Sequence, residues 1–476
     1  MKKVLFVVNQ LPILKNNFLL LNELYFDNIK LSNNKENIKI MPNLYNNKGE
    51  LYNICDYLDK LYLKFLKLIA QKLNEIHNTN FSLRFWELPL SIFLLHYLHI
   101  LYNKYYRIKK ATEIFNKNEL VFLTKNGIDS YDKKDWISLV EYCCKNEDTI
   151  LNTYSQIAEI LGIKIEVTDF NNDENNEFLS TQLAESNLLK KQNKFKITDY
   201  LSKSKISYFK KLLLNKLSFV NSLEKKILIS GGLFNRKDIL NIKRKSNILF
   251  EVFNNKKFSS SKIQVNQDLL ETIEYNDEFE KIIVKLLPYY LPEFLLEEFK
   301  SYYDEALKYS NYDCYISLNT LASNPVFNFA ASIGMEKGSK FIGHQHGGGY
   351  GQYNKISPEL AERHISDYYI TWGWKDKYYN SKAKLLPLPE CGLSNYFNSY
   401  DLKNANDKLI IVNSCLPKEV IRFYSAPDFY LNYNNYLKNK DKFLSNLDKQ
   451  ILKKLIYRPY MQKFQWGKEE NLILDK

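Results

Sequence analysis

The residues best suited to chemistry in this sequence are two histidines, His344 and His346, which are separated by one glutamine and followed by glycines at 347–349 and 351. Neutral imidazole is the commonest general base near neutral pH, and the backbone N–H groups of a glycine loop bind anions well. For the glycines alone, a tight turn beside a core histidine would be the better interpretation. Two histidines directly before them favour a polar ligand site.

A second group of candidates follows in the next segment of the chain. Glu362 and Asp367 are carboxylates that could orient a histidine or accept a hydrogen bond from a sugar hydroxyl, although capping and surface roles are about as common. Trp372 and Trp374 alternate along a segment predicted to be extended, which places them on one face. There they could stack on a sugar or a base, although packing in the core is the commoner role of tryptophan.

The elements around these residues predict a parallel α/β unit. A strand at 314–318 is followed by a helix that opens at Asn324 and Pro325, and an apolar run at 340–342 forms the next strand. Both histidines then stand at the carboxyl end of that strand. Ligands bind at this edge in open α/β sheets, so the histidine–glycine stretch lies where a site is expected.

The rest of the chain is also predicted to alternate between strands and helices. Two long helices, at 56–77 and 83–111, are predicted as a helical hairpin inserted after a first strand at 3–8, and residues 11–50 and 170–200 are predicted to be irregular. The apolar stretch at 88–102 is shorter than the about 20 residues of a membrane span and contains two histidines, which favours a buried or interfacial helix. Further strands and helices are predicted at 119–124, 133–145, 148–161, 163–167, 226–230, 247–253, 277–309, 365–370, 408–413, 433–453 and 455–457.

The amino-acid composition and the missing motifs limit the classes of partner that this protein is expected to bind. The 476 residues carry a net charge of +13, which suits anionic partners, although the lysines are scattered as on any solvated surface. No zinc finger, RNA-binding signature or arginine-rich run supports nucleic acid. The six cysteines lack metal-ligand spacing and are expected to be free thiols, and no metal site is predicted. Dinucleotide-binding and P-loop motifs are absent, which disfavours NAD enzymes and P-loop NTPases.

Two motifs carry a resemblance to a known family. GHQHGGGYG at 343–351 and HISDYYITWGW at 364–374 resemble the signature of proposed transferases from bacterial O-antigen and other surface-polysaccharide gene clusters. The helical region at 57–106, with Leu-Arg-Phe-Trp at 83–86, is similar to that family as well. Members usually carry a His-Glu pair where Ala361 and Glu362 stand here, and they continue beyond residue 476, so a C-terminally shortened chain is expected.

The resemblance implies a fold and a set of site residues. The family is related to two-domain, metal-independent GT-B glycosyltransferases, which implies a Rossmann-like N-terminal domain at 1–395 with a helical insertion at about 56–115, a linker at 396–407 and a partial second Rossmann-like domain at 408–476. The expected catalytic residues are His346, Glu362 and Asp367. The expected substrate-binding residues are His344, Gly347, Gly348, Gly349, Gly351, Trp372 and Trp374.

The function implied is transfer of a sugar or sugar phosphate from a nucleotide-activated donor to a saccharide or lipid-linked acceptor in surface-polysaccharide synthesis. No cofactor is expected beyond the nucleotide-sugar substrate. A cytoplasmic location is expected, and the basic charge is compatible with peripheral contact at the inner membrane. Two alternatives stay open: a shortened, non-catalytic protein that binds a glycan or a partner, and a nucleotide-sugar epimerase of similar architecture.

Overall fold

The structure, a computed structural model, describes residues 3–6, 17–21, 38–41, 47–128, 130–167, 225–231, 246, 248–254, 258–319, 324–353, 355–375, 381–390, 397, 408–412, 419–423 and 429–458. Its strands form two larger parallel sheets and a two-stranded parallel sheet, with helices between the strands. The predicted α/β class with parallel strands is therefore confirmed.

The first sheet has five strands in the order β3-β2-β1-β4-β5, all parallel. Its strands are β1 (Lys3–Phe6), β2 (Asn17–Leu20), β3 (Ile38–Ile40), β4 (Leu120–Thr124) and β5 (Lys164–Val167). Strands β2 and β3 correct the prediction that residues 11–50 are irregular. They are only four and three residues long, too short to show a periodic pattern.

The second sheet has six parallel strands in the order β11-β10-β9-β8-β6-β7. They are β6 (Lys225–Ser230), β7 (Ile248–Val252), β8 (Cys314–Ser317), β9 (Lys340–His344), β10 (Tyr368–Trp372) and β11 (Lys384–Leu388). The strand order reverses between β6 and β8, and β9 lies on the other side of β8. The stretch expected to form one domain, residues 1–395, thus contains two separate parallel sheets.

Two long helices, α1 (Lys48–His77) and α2 (Leu83–Ile114), form the predicted hairpin, which follows three strands rather than one. Helix α2 contacts helices from widely separated parts of the chain. They are α3 (Trp136–Cys144), α4 (Glu147–Ile160), α5 (Glu278–Tyr290), α7 (Pro325–Glu336) and α8 (Ser357–Ile365). Helix α6 (Phe299–Leu307) packs on α7. Within the described ranges, short 3-10 helices lie at Lys117–Glu119, Gln267–Thr272 and Glu293–Leu295.

Helix α2 is long and apolar enough to cross a membrane by length and composition, but its apolar window is entirely buried inside the molecule. The core helix of a folded protein meets the same criteria. Trp86, Leu94 and Leu101 are fully buried and belong to one continuous core that includes residues from both larger sheets. The prediction of a buried or interfacial helix at 88–102 is confirmed in its buried form.

The C-terminal part contains the parallel pair β12 (Leu409–Val412) and β13 (Leu455–Arg458), with α9 (Phe429–Ser445) and α10 (Lys449–Leu452) between them. These elements match the predicted strands at 408–413 and 455–457 and the predicted helix at 433–453. Residues 419–423, between β12 and α9, pack on α2: the Phe423 amide donates to His99 Nδ1 at 3.0 Å. The 419–423 segment therefore shares the core of the preceding part, through Val420 and Phe423. The predicted irregular stretch at 170–200 lies outside the described residues, as does the predicted linker except for the single described residue Phe397.

Candidate functional site

Two neighbouring elements of the second sheet bring the candidate residues together. Strand β9 ends at His344, and its chain continues through Gln345 and His346 into a turn at 347–353. Helix α8 follows and packs against β9, with proline at its first turn. Glu359 and Glu362 are three residues apart on the buried face of this helix, and both have 0% exposure. The carboxyl end of β9 thus carries two histidines, next to two buried carboxyl groups of α8.

Glu362 is the centre of the site. Its Oε1 lies 3.4 Å from Nδ1 of His346 and accepts a hydrogen bond from the Tyr350 hydroxyl at 3.2 Å. Its Oε2 accepts a hydrogen bond from the Tyr369 hydroxyl at 2.7 Å. The Tyr350 hydroxyl also lies 3.4 Å from Nε2 of His346. The predicted pair of His346 and Glu362 is therefore adjacent, with two tyrosines that fix the carboxyl group.

Burial keeps both members of this pair uncharged near neutral pH. Burial raises the pKa of Glu362 to about 8, even though the two tyrosines and Arg422 oppose that shift. Burial also lowers the pKa of His346 to about 4, with help from the positive charge of Arg422. The 3.4 Å contact is consequently a polar contact between neutral groups rather than an ion pair. When Nδ1–H donates to Glu362, Nε2 keeps the lone pair that can accept a proton.

The two histidines differ sharply in their access to solvent. The side chain of His346 is 31% exposed, whereas His344 is 1% exposed, with its Nδ1 against the carbonyl of Gln345. Burial lowers the pKa of His344 as well. Only His346 therefore combines an uncharged ring with an exposed edge that a substrate can reach.

Gln345, between the histidines, holds the turn in place. Its Oε1 accepts hydrogen bonds from the Trp372 amide at 2.9 Å and from Trp374 Nε1 at 2.7 Å, and its Nε2 donates to the Gly347 carbonyl at 2.7 Å. The buried side chain thus joins the end of β9 to the end of β10. Sequence reasoning gave Gln345 no role, although its position inside the GHQHGGG motif was a usable signal.

The two tryptophans do not continue a single extended face. Strand β10 ends at Trp372, and Gly373 has a positive φ of 84°, which turns the chain before Trp374. Trp372 Nε1 is buried and has no hydrogen-bond partner among the described residues. The indole of Trp374 packs over Gly351. The expected common face is therefore wrong, because the strand ends between the two residues, while both tryptophans do lie next to Gln345.

Gly351 is a position that only glycine suits. Its φ is +72°, and a Cβ atom there would stand 2.5 Å from Cδ2 and 2.6 Å from Cε2 of Trp374. Its amide donates to Glu359 at 3.1 Å, and Glu359 in turn pairs with buried Arg363 at 3.1 Å. The turn is thereby tied to helix α8 at a fixed distance from His346.

Replacing Gly351 with alanine is expected to destabilise the protein by about 2–4 kcal/mol, because the new methyl group meets the indole and the left-handed backbone disfavours a Cβ atom. Denaturant unfolding followed by tryptophan fluorescence measures this change. The matched control is Gly348→Ala in the same turn, where a Cβ atom would have nothing within 4 Å and φ is not positive. Equal stability losses in the two variants would contradict the packing of Trp374 on Gly351.

Asp367 lies away from the other predicted catalytic residues. It directly precedes β10, and its Oδ2 accepts hydrogen bonds from the Phe341 amide at 2.9 Å and from Arg84 at 2.6 Å. Strands β9 and β10 are parallel, so Asp367 is at their amino edge, roughly 16 Å along the sheet from His346. The structure brings Glu362 but not Asp367 to the histidine, and the contacts of Asp367 join the sheet to α2.

Three residues that contact the Glu362–His346 pair or act on its pKa values went unrecognised in the sequence. Tyr350 lies within the glycine motif, and Tyr369 stands in the HISDYYITWGW block, so the motifs themselves contained a signal for both. Arg422 lies far along the chain in the 419–423 segment, and nothing local pointed to it. Only the folded structure places its charge near the pair.

Replacing Glu362 with glutamine is expected to change how stability depends on pH. The pKa of Glu362 in the folded protein is raised to about 8 from an ordinary value of 4.5. The contribution of Glu362 to wild-type stability therefore falls as pH rises from 4.5 to 8. Glutamine mimics the protonated acid and cannot titrate. The stability of the variant relative to wild type should therefore increase between pH 5 and 8, as measured by urea unfolding at each pH. A constant difference over this range would contradict the raised pKa.

Among the residues that the structure describes, no group of three or more His, Cys, Asp or Glu side chains could hold a metal ion. Of the cysteines in these ranges, Cys143, Cys144 and Cys314 are free thiols.

Comparison with known proteins identifies the family to which the chain belongs. A family model described as the LIC12162 family transferase matches residues 9–476, and the chain belongs to this family of transferases. The family description supports the coarse expectation of a transferase. Neither the curated proteins nor the solved structures include a match to this sequence.

Proposed function

We propose that this transferase moves a sugar or sugar phosphate from a nucleotide-activated donor to a hydroxyl acceptor. The observation that carries the proposal is the uncharged, half-buried His346 with Glu362 at 3.4 Å behind it, at the carboxyl edge of a parallel sheet. A base in this position suits deprotonation of an acceptor hydroxyl. The family's transferase description supports the reaction class.

In the proposed reaction, Nε2 of His346 takes the proton of the acceptor hydroxyl as its oxygen attacks the donor. For sugar transfer, the new bond joins that oxygen to the anomeric carbon, and a nucleoside diphosphate, or CMP from a CMP-sugar, leaves with the electrons of the broken C–O bond. For sugar-phosphate transfer, the new bond is O–P and a nucleoside monophosphate leaves. Glu362, fixed by Tyr350 and Tyr369, orients the ring through Nδ1.

We further propose a GT-B-like arrangement, which the presence of two parallel sheets supports. A saccharide or lipid-linked acceptor and a role in surface-polysaccharide or O-antigen synthesis are part of the same proposal, as is a cytoplasmic position with contact to the inner membrane. The resemblance of the GHQHGGGYG and HISDYYITWGW motifs supports these finer assignments.

The test is an assay of the purified full chain against a panel of UDP-, GDP-, dTDP- and CMP-sugars, with and without saccharide and prenyl-phosphate acceptors. Release of nucleoside diphosphate or monophosphate, together with mass spectrometry of the acceptor, identifies the transferred group. Acceptor-dependent release supports the proposal. An altered donor sugar or free sugar released without acceptor would support the epimerase alternative, and no turnover with any pair would favour a binding role.

A further inference from the structure

The hydroxyl group of Tyr350 lies between the two functional groups of the candidate site. It is 3.4 Å from Nε2 of His346, and it donates a hydrogen bond to Oε1 of Glu362 at 3.2 Å. The rings of His346 and Tyr350 have centroids 5.2 Å apart and are inclined at 62° to each other. In the proposed reaction, Nε2 is the atom that takes the acceptor proton. The Tyr350 hydroxyl therefore connects that atom to a carboxyl oxygen of the site.

Tyr350 is held more firmly than the histidine that it contacts. The residue is 8% exposed and belongs to a small core cluster with Tyr369 and Ala383. The side chain of His346 is 31% exposed, and its contacts with Glu362 and Tyr350 are both 3.4 Å long. The hydroxyl is thus a fixed group, whereas the imidazole ring has room to turn between a substrate at its exposed edge and Tyr350.

Glu362 holds a proton more tightly than His346 does. Burial lowers the pKa of His346 to about 4 and raises the pKa of Glu362 to about 8. A proton that arrives at Nε2 is therefore more stable once it has passed to the carboxylate. A base works best when its pKa lies near the operating pH, which Glu362 satisfies. Its carboxyl group is fully buried, however, so an acceptor reaches it only through another group.

Two routes lead from His346 to Glu362, and they leave the imidazole ring in different states. Transfer from Nδ1, which lies 3.4 Å from Oε1, leaves the remaining proton on Nε2. The ring then accepts no further proton at Nε2 until its tautomer changes. Transfer through the Tyr350 hydroxyl empties Nε2 again and keeps the proton on Nδ1. Only the route through Tyr350 restores the base directly.

We infer that Tyr350 is a positioning residue that passes the acceptor proton from Nε2 of His346 to the carboxylate of Glu362. The Nε2–H bond breaks as its proton joins the Tyr350 oxygen, and the phenolic proton of Tyr350 moves to Oε1. His346 and Tyr350 return to their starting states, and Glu362 becomes the carboxylic acid. After the products leave, the proton returns through the same atoms to water at the exposed edge of His346.

The inference rests on the proposed function and deepens it, since it names the group that holds the proton during transfer. The groups that act on Glu362 are His346 and Tyr350 of the turn, Tyr369 of β10, Glu359 of α8 with its partner Arg363, and Arg422 of the 419–423 segment. Burial has the largest effect and raises the pKa, while the two tyrosine hydroxyls and Arg422 oppose it. Glu362 is largely protonated at pH 7, so its carboxylate becomes common only as the pH approaches 8.

The test is the pH dependence of the transfer rate of the full chain, with the donor–acceptor pair found in the panel of nucleotide sugars. The wild-type rate should rise about tenfold per pH unit below pH 8 and level off above it, because the rate follows the carboxylate form of Glu362. In Tyr350→Phe, the rate at pH 8 should fall about 100-fold and should stay constant from pH 6 to 8. A wild-type rate that is constant over this range would overturn the inference, and so would a wild-type profile in Tyr350→Phe.

The matched control is Tyr369→Phe, which removes the other hydroxyl that donates to Glu362, at 2.7 Å from Oε2. That hydrogen bond favours the carboxylate, so its loss should move the rise in rate to higher pH without abolishing it. Thermal unfolding shows whether both variants keep their fold. Loss of the pH dependence in both variants would assign the effect to disturbed packing around Glu362 and overturn the role of Tyr350.

The contact between Tyr350 and His346 is also measurable without turnover. In the full chain labelled with ¹⁵N on histidine, the Nε2 resonance of His346 is identified by its loss in His346→Gln, and it should shift in Tyr350→Phe. Transfer without this shift would overturn the role of Tyr350 and leave the transferase proposal standing. The shift without transfer on any donor would support the hydrogen-bonded link and overturn the proposed transfer.

Discussion

Replacing His346 with glutamine is expected to lower the rate of transfer by about 10²- to 10⁴-fold, the usual contribution of a general base. Glutamine fills a similar volume and preserves a polar contact with Glu362, but it cannot accept the proton of an acceptor hydroxyl. The initial rate of nucleotide release with the active donor–acceptor pair measures the loss. The melting temperature should change little, because the His346 side chain is 31% exposed and its polar contacts are 3.4 Å long.

A matched control is available on the same stretch of chain. His364 is also 31% exposed and also contacts a buried glutamate, with its Nε2 3.3 Å from Oε1 of Glu87. Its partner lies on α2 rather than at the site. His364→Gln should therefore keep its transfer rate within about threefold, a change worth less than 1 kcal/mol. A similar loss of rate in both variants would remove the catalytic assignment of His346.

Secondary structure could be predicted from the sequence where the helices are long or the strand–helix pattern is regular. Helices α1 and α2 were predicted because their apolar residues persist over many turns, and the unit from β8 to β9 was predicted from its strand–helix–strand pattern. The same pattern placed His346 at the carboxyl edge of the sheet. These features depend on residues close together in sequence, so periodicity and capping suffice to find them.

The composition of the site was only partly predictable. Glu362 and Asp367 both follow His346 within a short stretch of sequence, yet the parallel arrangement of β9 and β10 puts Asp367 at the far edge. The side chains of Gln345 and Tyr350 are placed by the turn and by helix packing, which no spacing rule specifies. The 419–423 segment packs on α2 across more than three hundred residues of sequence, as between Phe423 and His99. Such contacts exist only after the chain has packed.

Replacing Lys104 with methionine is expected to destabilise the protein by about 3–5 kcal/mol, because breaking a buried ion pair leaves a buried charge without its partner. Lys104 is 1% exposed and Glu419 is 0% exposed in this pair. Glu419 would keep its hydrogen bonds from Asn103 and Tyr154, both at 3.3 Å, but lose the ammonium at 3.1 Å. Urea unfolding at pH 7 measures the change.

The double variant Lys104→Met/Glu419→Leu separates the effect of losing the ion pair from the effect of leaving one buried charge without its partner. Apolar side chains of similar size often replace a buried ion pair at little cost, so the double variant should recover most of the stability lost in Lys104→Met. A double variant that stays as unstable as Lys104→Met would show that the loss does not come from the lone buried charge of Glu419.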